Sequence, residues 1–489
     1  MSTAPAVPNV GPSGAGTRHA VVVGGSMAGL VAARVLTAHF DRVTIVERDR
    51  LPEGADHRKG VPQARQLHAL LARGRNVLET LFPGFGQELE AAGAVPISVP
   101  GDFLTLTKAG WLDRRAPGWT GLSASRPLIE ATVRRRLLAL PGITLLDGHE
   151  ATALGASHDG RVVRGVTIRR VDRDVGVSYV DADLVVDASG RGSRAPAWLA
   201  ELGYPAPEAT RIDPDIAYAT RTYRIPDDFT ADWKAVMLMS RPPTMPRTGY
   251  LFPIEDNQWM VALMGAGGQH PPTDEEGHAA FVRSLSSPVI AEAIADAEPV
   301  TEIRGHRGTT NRQWHFERMP RWPERFVVLG DAVCAFNPIY GQGMTTAAVA
   351  AETLDACLRR QRLRRPAGDL DGLARRFQRA LARRNADAWM FSTGEDLRFP
   401  TTTGMTAGRV LHAQHRYLDR IEAASTRDPA VGDVYARAFG MLERPTALFR
   451  PRMVAAAVRS GRASAGPATS TAGVPTPRTP AEQQREVRA

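Results

Sequence analysis

Two glycine-rich segments, about 300 residues apart, limit what this chain can fold into. The first is residues 19–30, HAVVVGGSMAGL, followed by residues 43–48, VTIVER. Ala20 to Val23 is a short apolar, β-branched run and reads as a buried parallel strand. Gly24 ends it with a tight turn, and Gly29 lets the next helix pack closely on the strand. That helix carries Leu30, Val31, Val35 and Leu36 at helical spacing. Its first turn, at Ser26, Met27 and Ala28, presents free N–H groups and a positive dipole end to a pyrophosphate. A second strand, Val43 to Val46, ends at Glu47. This lies close to the ~20 residues beyond the glycine turn at which a carboxylate accepts hydrogen bonds from a ribose. Arg48 follows at the same edge. The middle glycine of G-x-G-x-x-G is replaced by Ser26, still small enough for close backbone approach.

The second segment is residues 326–344, FVVLGDAVCAFNPIYGQGM. Phe326 to Leu329 reads as another strand, with Gly330 and Asp331 just past its carboxyl end, where ligands bind in parallel sheets. The Asp331 carboxylate suits a sugar-alcohol hydroxyl. Pro338, Gly341, Gly343 and Met344 open a long alanine-rich helix running to about Leu358. Its positive end suits a reduced flavin, which carries negative charge near N1 and O2. Either segment alone is also compatible with a strand, a loop and a helix that hold no nucleotide. Together, in this order, they describe a fold that wraps one flavin dinucleotide from both ends.

At these residues the sequence resembles the FAD-dependent monooxygenases of the aromatic-hydroxylase superfamily. Residues 183–194, DLVVDASGRGSR, match the middle motif of that family, written Asp-Gly-x-x-Ser, with Gly190 and Ser193 in place and Ser189 standing for its Asp. The resemblance implies FAD as cofactor, with Asp187 beside it and NAD(P)H and O2 as co-substrates. The flavin C4a-hydroperoxide would epoxidise or hydroxylate a hydrophobic secondary metabolite, polyketide or aromatic. Because the motif's Asp is associated with nicotinamide docking, Ser189 leaves a separate flavin reductase open as electron donor. Within the superfamily, residues 58–65 (RKGVPQAR), 187–194, 217–221 (AYATR) and 336–341 (FNPIYG) look most like bacterial polyketide polyene epoxidases of polyether pathways; residues 66–73 (QLHALLAR) look like a more generic branch. The 250–253 stretch, YLFP, is similar to geranylgeranyl-reductase-like proteins. An FAD-dependent reductase acting on isoprenoid-like double bonds is therefore the second hypothesis, and a non-enzymatic flavin-binding protein the third. No Trp-x-Trp-x-Ile-Pro stretch occurs, which disfavours halogenation.

The expected fold class is α/β: a Rossmann-like FAD-binding domain with a parallel sheet in three layers, an inserted mixed β-sheet substrate domain and a C-terminal helical region. The expected boundaries are a flexible leader over 1–17, and the first part of the FAD domain over 18–204, with inserted strands and helices near 83–125. A β-rich substrate domain follows over 205–303, the second FAD part over 304–360, helices over 361–460, and a disordered tail over 461–489. In the family the inserted sheet floors the substrate pocket. Tyr250, Phe252 and Trp259, with Met260 and Met264, are candidates to line it, or else fill the core beneath it. Ser125 is the expected cap of a helix beginning at Arg126. The family places an arginine there on the cofactor; an ordinary helix-start arginine is the alternative. Arg65 is a candidate for pyrophosphate or ribitol, and His68 the best polar candidate near the cavity, or else a structural histidine.

The net charge of +9 would suggest nucleic acid or a membrane surface. However, Lys59, Lys108 and Lys234 are the only lysines, and the arginines are spread along the chain, so no nucleic-acid partner is expected. The cluster at Arg359, Arg360, Arg362, Arg364 and Arg365 reads as a solvated helix end. Two cysteines, Cys334 and Cys357, provide neither a disulfide framework nor metal-ligand spacing, so no metal is expected, and a reducing cytoplasmic setting fits. No run of 18 apolar residues predicts a membrane span. The partner expected is a hydrophobic small molecule; a homodimer stays open.

Overall fold

A computed structural model describes residues 17–115, 118–172 and 176–463. The expected leader (beyond Thr17) and the expected tail (beyond Ala463) lie outside the described residues.

A five-stranded parallel sheet carries the first and last motifs. His19–Val23 is its centre, with Arg42–Glu47 and then Ile143–Asp147 on one side, and Leu184–Asp187 and then Phe326–Val328 on the other. All five strands are short, and the inner ones are largely apolar on both faces, because helices such as Met27–Leu36 pack on the sheet and so does a three-stranded antiparallel sheet of His149–Ala156, Val163–Arg170 and Val177–Asp181. The helices Met27–Leu36 and Gly343–Arg364 pack against each other. The second runs six residues beyond the expected Leu358, so the arginine cluster sits on its last, solvent-facing turns. Chain order reverses direction at His19–Val23, which opens a crevice at the carboxyl ends of this strand and Leu184–Asp187.

A separate seven-stranded mixed sheet has the order Arg304–His306, Ile216–Arg224, Gln258–Ala266, Arg247–Ile254, Ala235–Leu238, Phe103–Thr107 and Gly110–Trp111. The strand-rich insert is therefore as expected, but it also recruits Phe103–Thr107, which pairs in parallel with Ala235–Leu238. Two short helices, Glu275–Arg283 and Val289–Ala293, cover one face of this sheet. The other face looks toward the flavin segment. The C-terminal helices Leu373–Asp396, Arg409–Ser425, Pro429–Phe439 and Pro451–Ala463 complete the fold. Among the described residues no helix is long and apolar enough to cross a membrane.

Candidate active site

The three motifs meet at the crevice. Gly24 has φ +103°, and a Cβ there would lie 2.6 Å from the Ala188 carbonyl oxygen, so only glycine lets the first turn touch the middle motif. Gly330, also at positive φ, lies so close to the first helix that its Cβ would stand 2.7 Å from that of Ala28. Segments 300 residues apart in sequence are thus in van der Waals contact. The Gly29 expectation also holds: a Cβ would overlap the Gly24 carbonyl, so the helix can sit this near the strand only without one.

Glu47 ends its strand buried, and Oε2 accepts from the Gly25 N–H at 2.6 Å. Oε1 accepts from the Asp49 N–H and lies 3.2 Å from Arg58. Arg58 reaches three carboxylates: Glu47, Asp49 at 2.9 Å and Glu130 at 3.1 Å. All four side chains are at most 10% exposed. Glu130 in turn accepts from Ser26 Oγ and Arg126, each at 2.8 Å. Arg126 also donates to Ser26 Oγ at 2.8 Å. Burial works to raise the Glu130 pKa, but Arg126 and Arg58 hold it below its ordinary range. An isolated buried carboxylate would be costly; two guanidiniums shared among three carboxylates offset that cost. The side chain that fills the position of the missing middle glycine is therefore tied down rather than free.

Sequence reasoning missed Glu130 and the burial of Arg58. The signal for Glu130 was its i,i+4 spacing from Arg126 on a helix whose cap, Ser125, accepts from the Leu128 N–H as expected. Arg58 stands in a basic loop with Lys59, where nothing local separates a buried arginine from a solvated one.

Asp187 is fully buried and spends its carboxylate on its own loop. It accepts from the Ser189 N–H at 2.9 Å, the Ser189 hydroxyl and the Ser193 hydroxyl at 2.6 Å. It therefore shapes the turn rather than facing the crevice. Ser189, the departure from the motif, caps this turn. Arg191 donates to the Thr310 and Phe336 carbonyls and lies 3.9 Å from Asp331. Asp331 keeps 36% of its side chain open, toward the crevice. Arg48 and Arg65 are exposed, with no ion pair among the described residues. Cys334 is buried close by, and burial pushes its thiol well above the usual range, so it is no nucleophile.

The residues present fit FAD. Neither the Met27–Leu36 nor the Gly343–Arg364 helix has a side-chain cap, so both leave first-turn N–H groups for a ligand. A Cβ at Gly343 would meet nothing within 4 Å. Next to it in sequence, Gln342 Oε1 is buried without a partner among the described residues, and so is Arg126 Nε, whose guanidinium also reaches Ser26 at the start of the first helix. Met344 itself is a core residue.

Against the loop at Pro338 and Gly341 lies a cavity of about 160 Å³, apolar over most of its lining. Tyr250 and Phe252 line it from the mixed sheet, as does Met264. Tyr435 and Phe439 close it from the helix Pro429–Phe439. Trp259 is a correction. It is 2% exposed but on the opposite face, 4.6 Å from Phe229 and in one core with Phe281 and Ile290. Strand alternation accounts for this: Ala262 and Met264 face the cavity, so Trp259, Val261 and Leu263 face the covering helices. Met260 lies on the cavity side of the strand but is not among the lining residues.

His68 lines the cavity next to Ala69, which touches Gly341. Burial, then Arg126, lowers its pKa to about 4, so the ring is neutral at pH 7. Its Nδ1 donates to the Gln66 carbonyl at 2.9 Å, which leaves Nε2 as an acceptor.

Comparison with known proteins agrees with this geometry. The chain is 33% identical to Protein Rv3254 of Mycobacterium tuberculosis (strain ATCC 25618 / H37Rv) over 433 residues, 87% of this chain and 90% of that one. In shape it is similar to the flavin-dependent brominase Bmp2 (TM-score 0.63, 13% identity, 91% of this chain and 99% of that one). It is similar too to the anhydrotetracycline hydroxylase OxyS of Streptomyces rimosus (TM-score 0.58, 18% identity, 87% and 76%). At such identities the two structures speak for the fold. The family described as FAD dependent oxidoreductase matches residues 19–356, more than half of the sequence, and the chain belongs to that family.

Proposed function

We propose that this protein is an FAD-dependent monooxygenase that epoxidises or hydroxylates a hydrophobic small molecule. The observation that carries the reading is the apolar cavity walled by the Pro338–Gly341 loop, the loop that precedes the helix aimed at the flavin. FAD, when bound, supplies oxygen activation with electrons from NAD(P)H or from a separate reductase. The chain's own contribution is enclosure and placement. Glu47 and the first-turn N–H groups of Met27–Leu36 would hold the ADP half, and Asp331 the ribitol. Phe252, Met264 and Phe439 exclude water and press an apolar substrate toward the flavin loop. His68 is neutral and offers Nε2 as an acceptor at that edge. Oxygen transfer of this kind needs no buried acid–base pair beside it.

The test is consumption of NAD(P)H and O2 by the purified FAD-loaded protein, with and without a panel of apolar polyenes and aromatics. Substrate-stimulated flavin reduction with ¹⁸O from O2 in the product supports the proposal. Product formation without O2 would establish the reductase reading instead. Bound FAD that neither nicotinamide reduces would point to a separate electron donor.

A further inference from the structure

Three phenols share one end of the cavity: Tyr218, Tyr250 and Tyr340. They are near enough that the Tyr250 charge would oppose ionisation of both others. Two of the three hydroxyls are committed. Tyr218 donates to Asn337 Oδ1 at 3.1 Å, and Tyr340 to Asp396 Oδ1 at 2.7 Å. Asn337 and Asp396 are completely buried and are held by Asn311, so these two hydroxyls are anchored in the protein.

Tyr250 differs. It is 8% exposed, yet its hydroxyl makes no hydrogen bond among the described residues. Burial alone raises its pKa, with no donor or charge contributing. Apart from those two committed phenols, its neighbours on the lining are apolar: Phe103, Phe252, Met237 and Met264. The hydroxyl is not among the sealed, unpartnered polar atoms of the core, so it opens onto the cavity, where a ligand that meets it gains a hydrogen bond formed away from bulk water. A purely hydrocarbon ligand would leave it unmet.

We propose that Tyr250 is the polar anchor of this cavity, donating its hydroxyl hydrogen to an acceptor oxygen, such as a carbonyl, on an otherwise apolar substrate. This rests on the reading of the cavity as the substrate site, and it narrows the substrate class to apolar molecules that already carry oxygen. Its test involves neither O2 nor NAD(P)H, so it can fail while the monooxygenase reading stands, and the reverse.

The experiment is calorimetric titration of the FAD-bound protein with a shape-matched pair, 2-acetylnaphthalene and 2-ethylnaphthalene. Wild type is expected to bind the ketone roughly 3- to 10-fold more tightly than its solubility in water alone dictates relative to the hydrocarbon. Tyr250→Phe should lose that preference and leave the ethyl compound's affinity unchanged. Tyr218→Phe, whose hydroxyl is already taken, should keep it. The infrared carbonyl stretch of the bound ketone should shift to lower frequency in wild type and return in Tyr250→Phe, which tests the bond without reference to affinity. Equal loss for both probes in Tyr250→Phe, an unshifted carbonyl in wild type, or no binding of either probe would overturn the proposal.

Discussion

Asp396 is the most exposed to test by pH, because it is a fully buried carboxylate with no cation within ion-pair distance among the described residues. It accepts from Asn311 Nδ2, from Asn337 Nδ2 at 2.9 Å and from the Tyr340 hydroxyl at 2.7 Å. Burial outweighs these donors and raises its pKa from 3.8 to about 7. Between those values the folded chain holds a proton that the unfolded chain has released. Folding therefore takes up a proton, and stability falls as pH rises from about 4 to about 7. At ~1.4 kcal/mol per pH unit, the interval corresponds to a loss on the order of 4 kcal/mol, complete above pH 7. Asp396→Asn cannot ionise and should not show that slope. Its amide N–H groups would face the Asn donors, at a cost of about 1–3 kcal/mol. The two stability curves should cross: the variant is the less stable at pH 4, and the more stable at pH 8 by about 1–3 kcal/mol. Urea unfolding of FAD-saturated wild type and variant from pH 4 to 9 reads both. Parallel curves for the two proteins would refute the reasoning, since the slope would then have another source.

Glu47→Ala removes the acceptor that fixes the Gly25 N–H and leaves Arg58 short of a partner; FAD affinity, read by flavin fluorescence on titration, should drop at least tenfold, since a hydrogen bond to a charged group is worth about 1.5–3 kcal/mol. Gly24→Ala forces a Cβ onto the Ala188 carbonyl at positive φ, so the purified variant should retain no stoichiometric FAD. Trp259→Ala should lower stability by about 3–5 kcal/mol in urea unfolding while leaving naphthalene-probe affinity within twofold of wild type, because the ring lies behind the sheet. His68 is neutral from pH 6 to 9, so the pH profile of turnover in that range should be the same for His68→Gln as for wild type, whatever its absolute rate.

The cofactor-binding half was legible because its signals are local. A β-branched run, a glycine turn and a carboxylate at fixed spacing name their own positions, and His19–Val23, Met27–Leu36 and Arg42–Glu47 appear where those signals put them. The side of a strand is another matter. Gln258–Ala266 is hydrophobic on both faces because the cavity lies on one and two helices on the other, so the sequence lacked the polar alternation that would have assigned Trp259. The Arg58–Glu130 tie and the Asn337–Asp396 tie join residues 72 and 59 positions apart. Such pairings depend on topology, and no window of sequence displays them. Ser189 reads as a motif departure, yet its partner is only two residues away; an Asx-type turn at Asp187 was within reach of the sequence.

The contact between Gly330 and Ala28 bears on when the protein can acquire its cofactor. During synthesis the glycine turn at Gly24 leaves the ribosome long before Phe326–Val328, which must still add itself to the sheet beside Leu184–Asp187. Until some 340 residues have emerged, the crevice has one wall and no floor. The nascent chain therefore carries an open sheet edge, the kind of surface that chaperones shield, and FAD loading is a late event.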